Sequence, residues 1–66
     1  MSNTLYAVYE PSHDAEVIND LIGTTTKVKV ASELALKAIK HEAISEVVIR
    51  EVDYEFSKIL YYWNNH

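Results

Sequence analysis

The chain has 66 residues, six of them basic and ten acidic, with no cysteine and a formal net charge of -4. The lack of cysteine excludes disulfides and thiolate metal sites, and the negative charge disfavours a general affinity for nucleic acid phosphates. Hydrophobic residues make up 48%, with one glycine and one proline, which is typical of a single small globular domain over residues 1–66. Because no apolar run is long enough to span a membrane and no secretory signal is seen, we expect a soluble, cytoplasmic protein.

The first part of the chain contains a strand and then a segment with two readings. Residues 5–10 (LYAVYE) are rich in strand-favouring side chains that alternate between two faces. After the proline, Ser12 is a candidate helix cap, apolar residues follow at helical spacing, and Gly23 is a candidate helix stop. Residues 12–23 are therefore predicted as either a helix or a loop.

The middle of the chain predicts a strand, a helix and a third strand. Valines and lysines alternate toward the end of residues 24–30 (TTTKVKV), as in a half-buried strand. Residues 33–44 carry their apolar side chains on one helical arc and follow Ser32, a candidate cap. Residues 46–52 (EVVIREV) include three consecutive β-branched residues and predict the third strand.

These elements predict a small α+β fold with a three-stranded sheet and two or three helices. The order is βαβαβα or ββαβα, according to the reading of residues 12–23. A twelve-residue helix between the second and third strands is long enough for a right-handed crossover, so we expect those two strands to be parallel.

Residues 53–66 (DYEFSKILYYWNNH) hold five of the seven aromatic residues of the chain. Read as a helix capped by Asp53, the segment places Phe56 and Trp63 on one apolar stripe. That stripe is predicted to be core, and truncating either aromatic side chain to alanine is then expected to cost about 3–5 kcal/mol.

Of the remaining tyrosines of this segment, Tyr54 and Tyr61 fall on the opposite face of such a helix, and Tyr62 lies further round it. They either pack on another part of the fold or form an interface, because tyrosine offers a large contact area at small entropic cost. A second candidate contact is acidic, since two carboxylates are one turn apart if residues 12–23 are helical. The predicted protein-binding residues are Tyr54, Lys58, Tyr61, Tyr62, Glu16 and Asp20.

No pattern of catalytic or cofactor-binding residues is present. The histidines, His13, His41 and His66, lack the spacing that places two imidazoles on one metal. With one glycine, the chain has neither a phosphate-binding loop nor a dinucleotide-binding turn, and its serines lie in no nucleophile motif. We therefore expect no enzyme activity, no cofactor and no metal.

The alternative function is that of a nucleic-acid-binding accessory protein. On the predicted second strand Lys27 and Lys29 project from the same side, Arg50 joins them from a neighbouring strand, and Tyr6 offers a stacking platform. Lysines also commonly decorate an exposed sheet without binding anything, and the net charge is negative. The signature of an RNA-recognition sheet is absent.

We therefore expect a non-enzymatic protein-binding module whose partner is a foreign protein or a second copy of the chain. In its size and lack of motifs, the chain resembles the accessory proteins of bacteriophages and mobile elements, which often inhibit or redirect one host protein. That resemblance implies an inhibitor or regulator acting in the host cytoplasm, and it assigns no residue.

Overall fold

The computed structural model describes residues 4–12, 19–41 and 44–65, which form one antiparallel sheet and one helix. The elements in chain order are β1 (Leu5–Glu10), β2 (Asp20–Thr25), α1 (Val28–His41), β3 (Glu46–Val52) and β4 (Ser57–Asn64). In space the strand order is β2-β1-β3-β4, and the neighbouring strands all run antiparallel.

Two predicted strands are confirmed, but the predicted fold class is wrong. β1 and β3 have the predicted bounds. Instead of a three-stranded sheet with two or three helices, the described residues form a four-stranded sheet with one helix. The predicted crossover also fails to form a parallel pair: β1 lies between β2 and β3 and pairs antiparallel with both, so these two strands run in the same direction but are not neighbours.

The predicted helix in the middle of the chain is confirmed, but it starts earlier than the sequence indicates and replaces residues 28–30 of the predicted second strand. The Lys27 amide donates to the Thr25 hydroxyl at 3.1 Å, and the Ala31 amide donates to the Lys27 carbonyl at 3.1 Å. Ser32, the predicted cap, lies within α1, where its hydroxyl donates to the Val28 carbonyl at 3.1 Å. The alternation of valine and lysine does not produce a strand here, because a helix that starts at Val28 buries Ala31 against the sheet.

β2 occupies the carboxyl end of the segment predicted as helix or loop. Gly23 does not stop a helix; it lies opposite Val8 inside the sheet. A Cβ atom on this glycine would lie 3.0 Å from a methyl group of Leu34, so the missing side chain leaves room for α1. The remainder of the predicted first helix, residues 13–18, lies outside the described residues.

β4 replaces the predicted carboxyl-terminal helix. It is joined to β3 by a turn in which the Asp53 amide donates to the Phe56 carbonyl at 2.7 Å. The Asp53 carboxylate accepts the Tyr54 amide at 2.7 Å, so the predicted capping residue closes a turn instead. Phe56 is 57% exposed and lies outside the core, while Trp63 is half-buried on β4. The segment forms a strand paired with β3, and not the helix that its apolar spacing indicates, because it is rich in strand-favouring residues.

The core is a thin layer between α1 and the sheet. α1 contributes three alanines, and the strands contribute branched aliphatic residues: Ala31, Ala35, Ala38, Val8, Val47 and Ile49. The alanines let the helix approach the sheet closely. α1 packs on β1, β2 and β3, but it does not reach β4. One side of the sheet is therefore only partly covered.

Candidate functional site

A groove of about 460 Å³ lies between α1 and β4. It exists because a helix is about 10 Å wide and strands are about 4.8 Å apart, so one helix cannot cover four strands. α1 lines one side and β4 the other, through Val28, Ser32, Leu36, Ile39, Leu60 and Tyr61. We call this feature the β4 groove.

The β4 groove is lined by an apolar ridge on α1. The α1 residues that line the groove are spaced by three or four positions, so they lie along one side of the helix: Val28, Ser32, Leu36 and Ile39. Leu36 is 52% exposed and Val28 is 47% exposed, although both belong to an apolar helical stripe. Leu36 and Val28 therefore present apolar surface to solvent instead of to the sheet.

A bulge in β4 supplies the other side of the groove. Tyr61 pairs with Ile49 and Ile59 pairs with Arg50, which leaves Leu60 as an extra residue between two pairs. Such an extra residue bends the strand and redirects a side chain. Leu60 consequently lines the groove together with its neighbour Tyr61.

β4 is exposed along almost its whole length. It is the last strand in the sheet order, so none of the strands in residues 4–12, 19–41 and 44–65 lies beside its outer edge. Seven of its eight residues are exposed, and Trp63 is half-buried. Backbone N–H and C=O groups on an unpaired edge are a template for pairing with another strand.

The predicted protein-binding residues are distributed over several parts of the molecule. Lys58 and Tyr61 belong to the face of β4 that α1 overlooks, whereas Tyr62 lies on the opposite face, since side chains alternate away from the bulge. Tyr54 is 90% exposed in the turn before β4. Asp20 begins β2 at the other edge of the sheet, and Glu16 lies outside the described residues. β4 thus brings three of these residues together, although not on one face.

The sheet face opposite α1, which we call the open face, carries a polar network. The Arg50 guanidinium donates from Nε to the Tyr9 hydroxyl at 3.1 Å. Its Nη1 atom donates to the Ser57 hydroxyl at 3.4 Å. This arginine therefore ties β1, β3 and β4 together, which accounts for its presence without any ligand.

A second group on the open face anchors Tyr62. Its hydroxyl donates a hydrogen bond to the Glu46 carboxylate and accepts one from the Asn64 side-chain amide at 2.8 Å. Donation to the carboxylate raises the pKa of Tyr62 above its ordinary value of 10.0, and the Asn64 bond acts in the opposite direction. The tyrosine is held against β3, so its structural role differs from that of Tyr61.

The predicted nucleic-acid-binding residues are not assembled into one surface. Lys27 precedes α1 and Lys29 lies in its first turn, so neither is on a strand. Arg50 is on the open face, bound to Tyr9. Tyr6 packs against the core on the side of α1, where it cannot act as a stacking platform beside Arg50.

The sequence analysis selected Tyr61 among the groove residues and missed Val28, Ser32, Leu36, Ile39 and Leu60. Val28 falls in the predicted second strand, and Leu60 falls in the predicted carboxyl-terminal helix. Leu36 lies at the margin of the apolar arc of the predicted helix, beyond the alanines. The position of Leu36 at this margin could have indicated the groove, because an apolar arc that is wider than the contact with the sheet leaves one side of the helix exposed.

No protein-family model, curated protein or solved structure matches the chain. Within residues 4–12, 19–41 and 44–65, no group of three or more histidine, aspartate or glutamate side chains is placed to hold a metal ion. The described helix is too short and too polar to cross a membrane. Function must therefore be inferred from the β4 groove and the free edge of β4 themselves.

Proposed function

We propose that this chain is a non-enzymatic protein-binding module that takes up an extended strand of a polypeptide along the free edge of β4. The observation that carries the proposal is the position of this edge beside an apolar groove. In this mode of recognition, main-chain hydrogen bonds supply affinity and alternate side chains supply specificity through pockets.

The apolar surface at β4 supports this proposal. Leu60 is 43% exposed, Tyr61 is 43% exposed, and Leu36 across the groove is 52% exposed. Exposed apolar side chains that lie together on a surface commonly mark interaction sites. An added strand would satisfy the outer backbone groups of β4, and its side chains on the groove face would pack beside Leu60 and Tyr61.

A finer version of the proposal concerns what binding achieves. A module of this kind inhibits or redirects another protein by occupying one of its segments, as the phage-type accessory proteins do. Its site of action would be the cytoplasm of the host cell. The size and composition of the chain support this version, and the groove supports only the binding step.

The experiment is photo-crosslinking from the groove. A photoreactive phenylalanine analogue is placed at Leu60, and a matched control places it at Leu21, an exposed leucine on the opposite edge strand. After irradiation in bacterial lysate, with and without nuclease, mass spectrometry identifies the adducts. We expect protein adducts, either with a foreign chain or with a second copy, from position 60 that are absent from position 21.

Two results would count against the proposal. Equal labelling from the two positions would mean that the groove has no special affinity for polypeptide. Adducts that disappear after nuclease treatment would favour the nucleic-acid-binding alternative.

A further inference from the structure

We infer that the strand that pairs with β4 is β4 of a second copy, so that two chains join edge to edge into a continuous eight-stranded sheet. The inference rests on the proposed function and names the partner at the same site. It requires only the free edge of β4, which identical chains present to each other.

The uncharged part of β4 is suited to such pairing. The bulge at Leu60 divides the strand into residues 57–59 and 61–64. The second part contains two tyrosines, a tryptophan and an asparagine and has no charged side chain. Lysines, prolines and bulges are the usual devices that protect an edge, and residues 61–64 contain none of them.

Antiparallel pairing of two identical edges is self-complementary. A two-fold axis at Tyr62, within the uncharged part of the strand, places Tyr62 beside its own copy and Tyr61 beside Trp63 of the second copy. Lys58, the charged residue of β4, lies near one end of the strand. In the paired strands the two lysines are then roughly 26 Å apart, beyond the screening distance of about 8–10 Å at physiological salt.

The surface available is enough for a dimer of moderate affinity. Ile59 is 52% exposed, Leu60 and Tyr61 are each 43% exposed, and Tyr62 is 48% exposed. With the strand backbone, these side chains offer on the order of 500 Å² per copy, so the total approaches the roughly 1,000 Å² that marks a specific interface. We therefore expect dissociation in the micromolar range.

The small core gives the chain a physical reason to dimerise. The largest fully buried side chains of the described residues are Val8 and Val47, and α1 contributes only alanines to the buried cluster. Small domains without disulfides or metals commonly gain their missing stability from a second subunit. Covering β4 adds apolar burial where α1 provides none.

A face-to-face arrangement of two helices is disfavoured by charge. The outer surface of α1 carries Lys29, Glu33, Lys37 and Lys40, all exposed. Packing two such surfaces together would remove charged groups from water without assured partners. Edge pairing leaves these side chains in solvent.

The test compares oligomeric state across protein concentration by sedimentation equilibrium. The wild type is expected to pass from monomer to dimer in the micromolar range. Leu60→Glu should weaken dimerisation at least tenfold, because it places a carboxylate of each copy at the interface, while the matched variant Leu21→Glu on the opposite edge should dimerise like the wild type. Circular dichroism establishes that each variant is folded.

If Leu60→Glu fails to fold, mixed isotope labelling of the wild type provides the second measurement. Nuclear Overhauser contacts between differently labelled copies are expected along β4, and contacts confined to other elements would overturn the inference. A wild type that stays monomeric, or two variants that dimerise equally, would also overturn it. Foreign adducts from the position-60 crosslinker would still uphold the proposed function in that case, whereas the absence of all adducts would defeat both.

Discussion

Replacing Phe56 with alanine should destabilise the fold less than replacing Val47 with alanine, although phenylalanine loses more atoms. Val47 is 0% exposed in the core, whereas Phe56 is 57% exposed in the turn between β3 and β4. At about 0.8 kcal/mol per buried methylene plus the cavity left behind, Val47→Ala is expected to cost about 2–3 kcal/mol. Phe56→Ala removes a side chain that is less than half buried and leaves no closed cavity, so we expect a cost of about 1 kcal/mol.

Urea unfolding monitored by the fluorescence of Trp63 measures both losses, at one fixed protein concentration because dimerisation is coupled to stability. For a small domain the free energy of unfolding falls by about 1 kcal/mol per molar urea. The midpoint should then decrease by about 2–3 M for Val47→Ala and about 1 M for Phe56→Ala. A loss of about 3 kcal/mol or more for Phe56→Ala would refute this reasoning, because that is the cost expected for a core residue.

Three further changes test the packing and the open face. Gly23→Val forces a side chain against Leu34, which lies 3.0 Å from the ideal Cβ position of the glycine, so thermal unfolding should show a loss of about 1–3 kcal/mol. Adding Leu34→Ala should recover part of that loss. If the stability losses of the two substitutions simply add, the contact is contradicted. Ala38→Leu overfills a completely buried site and should lower the melting temperature by about 4–8 °C for each kcal/mol lost, so an unchanged value would mean that α1 lies farther from the sheet. Tyr62→Phe removes the hydrogen bond to Glu46 that raises the folded-state pKa of Tyr62 above 10.0. The stability that this bond contributes is complete below pH 10.0 and is lost as the pH rises through the folded-state pKa of Tyr62. The urea midpoints of wild type and this variant should therefore converge at strongly alkaline pH, and a difference that does not depend on pH would speak against the Glu46 bond.

The proposed interface shares residues of β4 with the sequence prediction, but for a different reason, and it does not include Tyr54, Asp20 or Glu16. Tyr61 and Lys58 were selected as the outer face of a helix, and in the structure they belong to the groove face of an edge strand. Tyr62 was selected with them, yet it is anchored to Glu46 on the open face. Whether these residues contact a partner remains a prediction for the crosslinking and sedimentation experiments.

The sequence by itself determined β1, β3 and the existence of α1. Each has a pattern that its own residues satisfy: alternating or continuous strand-favouring side chains in the two strands, and an apolar arc with small residues in the helix. These patterns are local, so they can be read without knowing which element packs beside them.

Only the tertiary structure decided the state of the carboxyl-terminal segment and the position of the groove. The apolar spacing of residues 53–66 fits one helical stripe, but residues 57–64 pair with β3 along one edge, and Phe56 becomes a turn residue. Likewise, Gly23 and the alanines of α1 place the helix over β1, β2 and β3, which leaves β4 uncovered. Both outcomes depend on contacts between residues that are distant in sequence, and the periodicity of a single segment carries no information about such contacts.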